Sequence, residues 1–220
     1  MIAQVNGIDL YYEETGRGRP LLLVHGNGED HTIFDEAVAV LSKDFTCYAV
    51  DSRGHGKSGA VSELHYRDMA ADMLSFLEAL DLRDVVFYGF SDGGIIGLMA
   101  APQTDRITTL ITSGANLSPT GVKLGIQLFI RFGNFLKKDP KLEMMLREPH
   151  ITDEQLRAIR VRTLILAGSK DLVLEEETRR IADTIPGAEL RILPGEGHGT
   201  YIIHKTKIAE LIRDFCLENG

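Results

Sequence analysis

Cysteine is scarce: 220 residues carry only Cys47 and Cys216. Both stand in apolar-patterned segments, which predicts two buried thiols rather than a disulfide. No Cys/His group has the spacing of metal ligands, so no metal is expected. Positive charge is also in deficit, with Lys and Arg at 24 against 32 Asp and Glu, a net charge of −8. Such a chain has little with which to neutralise phosphates, and this excludes a nucleic-acid partner. No run of about 18 apolar residues is present to span a bilayer. The opening Met1–Gly7 lacks a basic region followed by a long apolar stretch. The expectation is a cytoplasmic protein with no membrane partner. Repeats and low-complexity tracts are absent. Gly26 and Gly28 follow a strand-like run, but the third glycine and the lysine of a nucleotide-binding loop are missing. No cofactor is expected.

What is present is an alternation. The length suits one domain, or one domain with a small insertion. Hydrophobic residues at 44% and charged residues at 25% suit a globular chain. Leu21–Val24, Thr46–Val50, Val85–Tyr88 and Thr163–Ala167 are continuous apolar runs, as strands covered on both faces should be. Ile8–Glu14, Ile107–Thr112 and Glu189–Leu193 are further strands, and Asn6-Gly7 marks a hairpin turn before Ile8. Between them apolar residues recur at helical spacing. One set is Phe34, Ala37, Val38 and Leu41. A second is Met69, Met73, Phe76, Leu77 and Leu80, and a third is Ile208, Leu211, Ile212 and Phe215. The pattern predicts an α/β fold with a mostly parallel sheet of about eight strands and helices on both faces.

One stretch interrupts this rhythm. From Gly114 to Arg160 no strand pattern appears. Leu124, Leu128, Phe132, Phe135 and Leu136 mark one helical face, and Ile126, Phe129 and Ile130 make the other sides apolar too. A helix apolar nearly all round needs two burial surfaces. The reading is a core of residues 1–116 and 160–220, with 117–159 inserted as a short helical cap. Phe129, Phe132, Phe135, Met144 and Met145 are the candidate lining of an apolar substrate pocket. The plainer alternative is an ordinary helix flanking the sheet.

The chemistry centres on Gly89-Phe90-Ser91-Asp92-Gly93, which joins an apolar strand to the apolar Gly94–Met99 segment. A serine on a sharp strand-to-helix turn holds its hydroxyl above the sheet. That hydroxyl needs a base, and the base needs an orienting acid. In such sheets reactive groups gather at the carboxyl ends of the strands. The last strand leads into Gly195-Glu196-Gly197-His198, which offers His198 as the base. The strand before it leads into Gly168-Ser169-Lys170-Asp171, which offers Asp171. The order Ser91, Asp171, His198 is that of a nucleophile-elbow hydrolase. An oxyanion hole would take the N–H of Asp92 and one from His25-Gly26-Asn27-Gly28, assigned to Asn27. Competing readings exist at each position. Ser91 is otherwise a turn serine. Glu175, Glu176 and Glu177 rival Asp171 but suit the first turn of a helix. His204 rivals His198 but is placed inside the last helix. His31, His65 and His150 are read as solvent-side, and Arg53 and His55 as braces of their loop.

With these residues in place, the sequence resembles the α/β-hydrolase fold family over nearly its whole length. His25-Gly26 is similar to the family's oxyanion loop, and Asp51-Ser-Arg-Gly-His-Gly-Lys-Ser58 to its D-x-R-G-x-G-x-S segment. Gly89–Gly93 matches the elbow, Gly168–Asp171 the acid loop and Gly197-His198 the base loop. The resemblance implies attack on a carbonyl carbon, and Ser91 argues against members with an aspartate nucleophile. Gly89–Gly94 is also similar to the elbow of valacyclovirase-type α-amino-acid ester hydrolases, where the acid beside the nucleophile receives a substrate ammonium. For Asp92 the simpler reading is that only its N–H matters and its carboxylate points away.

The expected function is therefore a serine hydrolase acting on small to medium carboxylic esters through an acyl-enzyme. The same triad also serves C–C bond hydrolases, thioesterases, lactonases and perhydrolases, and a slowly turning-over receptor is the non-enzyme alternative. The expected partner is a small ester-like molecule, with a homodimer as the one protein association kept in view.

Overall fold

The continuous apolar runs become the centre of one sheet. The computed structural model describes residues 1–217. Its strands are β1 (Ile2–Val5), β2 (Ile8–Gly16), β3 (Arg19–Val24), β4 (Phe45–Val50), β5 (Val85–Phe90), β6 (Ile107–Ser113), β7 (Arg162–Lys170) and β8 (Glu189–Gly197). They are ordered β1-β2-β4-β3-β5-β6-β7-β8. β5 is buried at every position, as a strand covered on both faces must be. From β4 to β8 all neighbours are parallel. The β1–β2 hairpin adds the antiparallel edge, turning at Asn6 and Gly7, both with positive φ. The expected eight strands are present, and β7 and β8 run several residues further than their apolar runs.

The helices are α1 (Asp35–Leu41), α2 (Tyr66–Ala79), α3 (Asp92–Ala100), α4 (Leu124–Lys137), α5 (Pro140–Arg147), α6 (Asp153–Arg157), α7 (Glu175–Thr184) and α8 (Lys207–Leu217). The predicted stripes bury: Met69, Met73, Phe76 and Leu77 on one face of the sheet, and Ala37, Leu41, Ile208, Ile212 and Phe215 on the other. Chain order along the sheet reverses at β3, which lies between β4 and β5. Such a reversal opens a crevice beyond the carboxyl ends of the strands, and the loops after β3 and β5 flank it.

An ion pair between half-buried Arg53 and buried Asp72 fixes the loop after β4. Arg53 Nε and Nη2 donate to the two carboxylate oxygens of Asp72 on α2, at 2.5 and 2.6 Å. Asn6 Nδ2 donates to the same carboxylate at 3.0 Å. His25 braces the loop after β3: its Nδ1–H donates to the Gly26 carbonyl at 2.7 Å, and its Nε2 accepts the Ser52 N–H at 3.0 Å. Burial lowers the His25 pKa to about 4, so this ring is a neutral strut.

Several expectations change. His31 is buried rather than solvent-facing, and it bonds Asp51 Oδ1 through Nδ1 at 2.7 Å. His65 is half-buried and bonds Glu148 at 2.6 Å. His204 lies in a turn before α8, not inside it. Cys47 is buried and Cys216 half-buried, and both are free thiols as anticipated. Between β6 and β7 the chain is helical, but Ile151, Leu156 and Ile159 pack into the main core. Only α4 and α5 of the 117–159 stretch stand over the crevice. The second burial surface expected for α4 is missing: Ile130 alone is buried, and Leu124, Leu128, Phe132, Phe135 and Leu136 face solvent.

Candidate active site

β5 delivers Ser91 at a turn that only small neighbours permit. Ser91 has φ 53° and ψ −113°, a strained conformation for a residue with a side chain. A Cβ on Gly93 would lie 2.0 Å from the Val24 carbonyl oxygen, and one on Gly89 2.1 Å from that of Gly93. Neither contact is sterically possible, so both glycines are required for α3 to start immediately after the strand. The Ser91 N–H donates to the Ser113 carbonyl at 2.8 Å, tying the elbow to the end of β6.

The three residues picked out from the sequence converge. His198 follows β8, and its Nε2 lies 3.0 Å from Ser91 Oγ. Asp171 follows β7, and its Oδ1 lies 2.6 Å from His198 Nδ1. The same oxygen accepts the Val173 N–H at 3.0 Å. Burial by itself would raise the Asp171 carboxyl. The hydrogen bond and charge of His198, with the Val173 and Gly168 N–H groups, outweigh it and hold the pKa below the ordinary aspartate value. A charged Asp171 fixes the proton of His198 on Nδ1 and leaves Nε2 free to accept from Ser91. Gly114 makes room for the ring, since a Cβ there would lie 2.7 Å from His198 Cε1. Sequence reasoning passed over Gly114, because nothing local marks a glycine that serves a ring from another strand.

Beside Ser91, the Asp92 N–H at the start of α3 and the Asn27 N–H in the loop after β3 have no acceptor among the described residues. Asp92 itself is buried, and its carboxylate is fully engaged. It accepts from Asn27 Nδ2 at 2.9 Å and from Tyr66 OH at 2.8 Å. Burial raises its pKa despite these two bonds. The carboxylate therefore points away from the substrate side and clamps the Asn27 loop. Asn27 Nδ2 also reaches the Lys141 carbonyl on α5 at 3.3 Å. Tyr66 had no signal in the sequence beyond its place at the start of α2.

Ser91 and His198 open onto a cavity of about 430 Å³. Ile126, Phe129 and Ile130 of α4 and Leu142 and Met145 of α5 form its apolar wall. Phe129 and Met145 are therefore placed as expected. Phe132 and Phe135 are not, because they lie on the outward face of α4. Met144 is buried in the main core.

Glu29 also lines the cavity and was missed. Its Oε2 accepts the Gly26 N–H at 3.0 Å. Burial pushes its carboxyl up to about 7, against the smaller pull of Gly26 and His198. The ordinary value is 4.5, so between there and about 7 the folded chain keeps a proton that the unfolded chain has lost. The stability linked to this group is full below the ordinary value and is lost as pH rises through the folded one. Glu29→Gln should remove that loss. The thermal midpoint of the wild type, relative to the variant, should fall between about pH 5 and about pH 8. Parallel midpoints would contradict the shifted carboxyl.

The comparisons with known proteins bear on the fold and the family. The model of the alpha/beta hydrolase fold matches residues 19–137, more than half of the chain. The AB hydrolase superfamily protein YisY of Bacillus subtilis is 28% identical, across 94% of this chain and 95% of its own. Serine hydrolase BPHL of Mus musculus is 29% identical, across 96% and 84%. Among solved structures, the enol-lactonase from Burkholderia xenovorans LB400 superposes with a TM-score of 0.82 at 21% identity, covering 98% of this chain and 99% of its own. The chain belongs to the alpha/beta hydrolase fold family. Its relatives mark it as an enzyme of the hydrolase type.

Proposed function

We propose that the protein is a serine hydrolase that cleaves small to medium carboxylic esters. The observation that carries this reading is the unbroken chain Ser91–His198–Asp171 at the end of an apolar cavity, beside two N–H groups without acceptors among the described residues. Ser91 Oγ attacks the ester carbonyl while His198 Nε2 takes its proton. Asp171 stabilises the imidazolium, and the Asn27 and Asp92 N–H groups bind the oxyanion. His198 then protonates the leaving alcohol. Water, activated by the same imidazole, releases the acid and restores Ser91. The route uses only this chain, the ester and water. The α4–α5 pair acts as the cap, and a cytoplasmic site of action belongs to the same reading.

A cavity of about 430 Å³ limits the acyl chain. Across p-nitrophenyl esters of increasing chain length, kcat/KM should peak at short to medium acyl groups and fall for long ones. A maximum at the longest chain would overturn this. Sustained turnover is also required, since a receptor would stall after one equivalent.

Asp92 is assigned a positioning role in this reading. Asp92→Ala leaves Tyr66 OH and the Asn27 amide without their partner and loosens an oxyanion donor. The expected loss in kcat is roughly tenfold to a hundredfold, with KM nearly unchanged. Asp92→Asn keeps the shape and should lose less. Neither variant should alter the ratio of aminoacyl to matched neutral esters, because the carboxylate does not face the cavity. A selective loss on aminoacyl esters would contradict the assignment.

A further inference from the structure

The cap helix carries an apolar face that nothing among the described residues covers. At 100° per residue, Leu124, Phe135, Leu128, Phe132, Leu136 and Phe129 form one continuous arc of α4. All six are exposed, Phe135 by 80% and Phe129 by 72%. They make up most of the exposed large hydrophobic residues among those described. A soluble surface rarely presents so contiguous an apolar patch without using it.

The charge along this segment is opposite in sign to that of the rest of the chain. From Thr120 to Lys138 the sequence contains Lys123, Arg131, Lys137 and Lys138 and no Asp or Glu, within a chain of net charge −8. All four cations are exposed, and none has an ion-pair partner among the described residues. The arc also borders the cavity mouth, because Phe129 belongs to both.

We propose that α4 is an interfacial helix that docks the protein on an anionic lipid bilayer, with the cavity mouth turned towards the acyl region. Phe and Leu side chains enter the headgroup–acyl boundary, while the flanking cations meet acidic headgroups. A second copy docked arc to arc is less suited, because it would bring two cationic segments together. The acidic remainder of the chain does not forbid docking, because salt screens charges beyond about 8 Å at physiological ionic strength. The absence of a spanning run, which led to the expectation of no membrane partner, does not bear on binding in the plane of the surface. This proposal stands apart from the ester reading, since docking requires no chemistry at Ser91.

The test is flotation of the full chain with phosphatidylcholine vesicles, with and without phosphatidylglycerol, at low and high salt. The wild type should float with the anionic vesicles and not with the neutral ones, and high salt should weaken the binding. Phe132→Ser with Phe135→Ser should reduce binding roughly tenfold or more, and so should Lys137→Gln with Lys138→Gln. All four positions are exposed and lie off the cavity. Circular dichroism and turnover of a water-soluble ester should therefore match the wild type. Equal binding to both vesicle types, or none to either, overturns the proposal. A dimer in sedimentation velocity that the Phe132/Phe135 variant dissociates, without vesicle binding, overturns it in favour of a second copy on this face.

Discussion

Ser91→Ala should lower kcat on a p-nitrophenyl ester by roughly 10⁴- to 10⁶-fold and leave the fold intact. The hydroxyl removed makes a 3.0 Å bond with His198 Nε2 and holds no other element in place. The turn itself is set by Gly89 and Gly93, whose missing side chains allow the backbone contacts at the elbow. The backbone bond from Ser91 to Ser113 survives the substitution. His198→Ala should lose a comparable factor, and the double variant little more than either alone, because the groups act as a unit. Some catalysis should persist in all three from the Asn27 and Asp92 N–H groups. Additive losses would mean that the residues act in separate steps, which the geometry does not allow.

The largest expected effect on stability lies away from the chemistry. Asp72→Ala should destabilise the fold by about 3–5 kcal/mol, read as a lower urea midpoint. Asp72 is fully buried, and it accepts two bonds from Arg53 and one from Asn6. Removing it leaves the guanidinium in a half-dry site where, among the described residues, only the exposed Asp68, at 3.7 Å, remains as a charged partner. The larger cost is that unpaired charge rather than the lost attraction. Arg53→Leu combined with Asp72→Leu should therefore cost less than Asp72→Ala alone. An Asp72→Ala midpoint close to that of the wild type would show that the pair contributes nothing to the fold.

The centre of the sheet was readable from sequence because its strands there are buried on both faces. Leu21–Val24 and Val85–Phe90 could not be written with polar residues. The convergence of Ser91, Asp171 and His198 was readable for a related reason: each sits in a short glycine-bearing loop at the carboxyl end of a strand. What escaped was set by contacts between distant segments. Tyr66 and Asp92 meet across 26 positions, and Glu29 folds back on Gly26 inside a cavity whose far wall is α4 and α5. The face that α4 turns inward depends on what lies beneath it, and the sequence made Phe132 and Phe135 look as suitable as Phe129. Helical periodicity reveals how much of a helix is apolar but not which part is already covered. That is why, of the five residues expected to line a pocket, Phe129 and Met145 border the cavity while Phe132 and Phe135 join the outward arc.

The central claim is that Ser91 is an activated nucleophile. A fluorophosphonate probe reports this directly, since it is attacked by a serine hydroxyl with a working base and oxyanion hole. Intact-mass measurement of the wild type should show one probe adduct, mapped to the peptide containing Ser91. Ser91→Ala should show none. An unlabelled wild type, or an adduct that survives Ser91→Ala, would contradict the account.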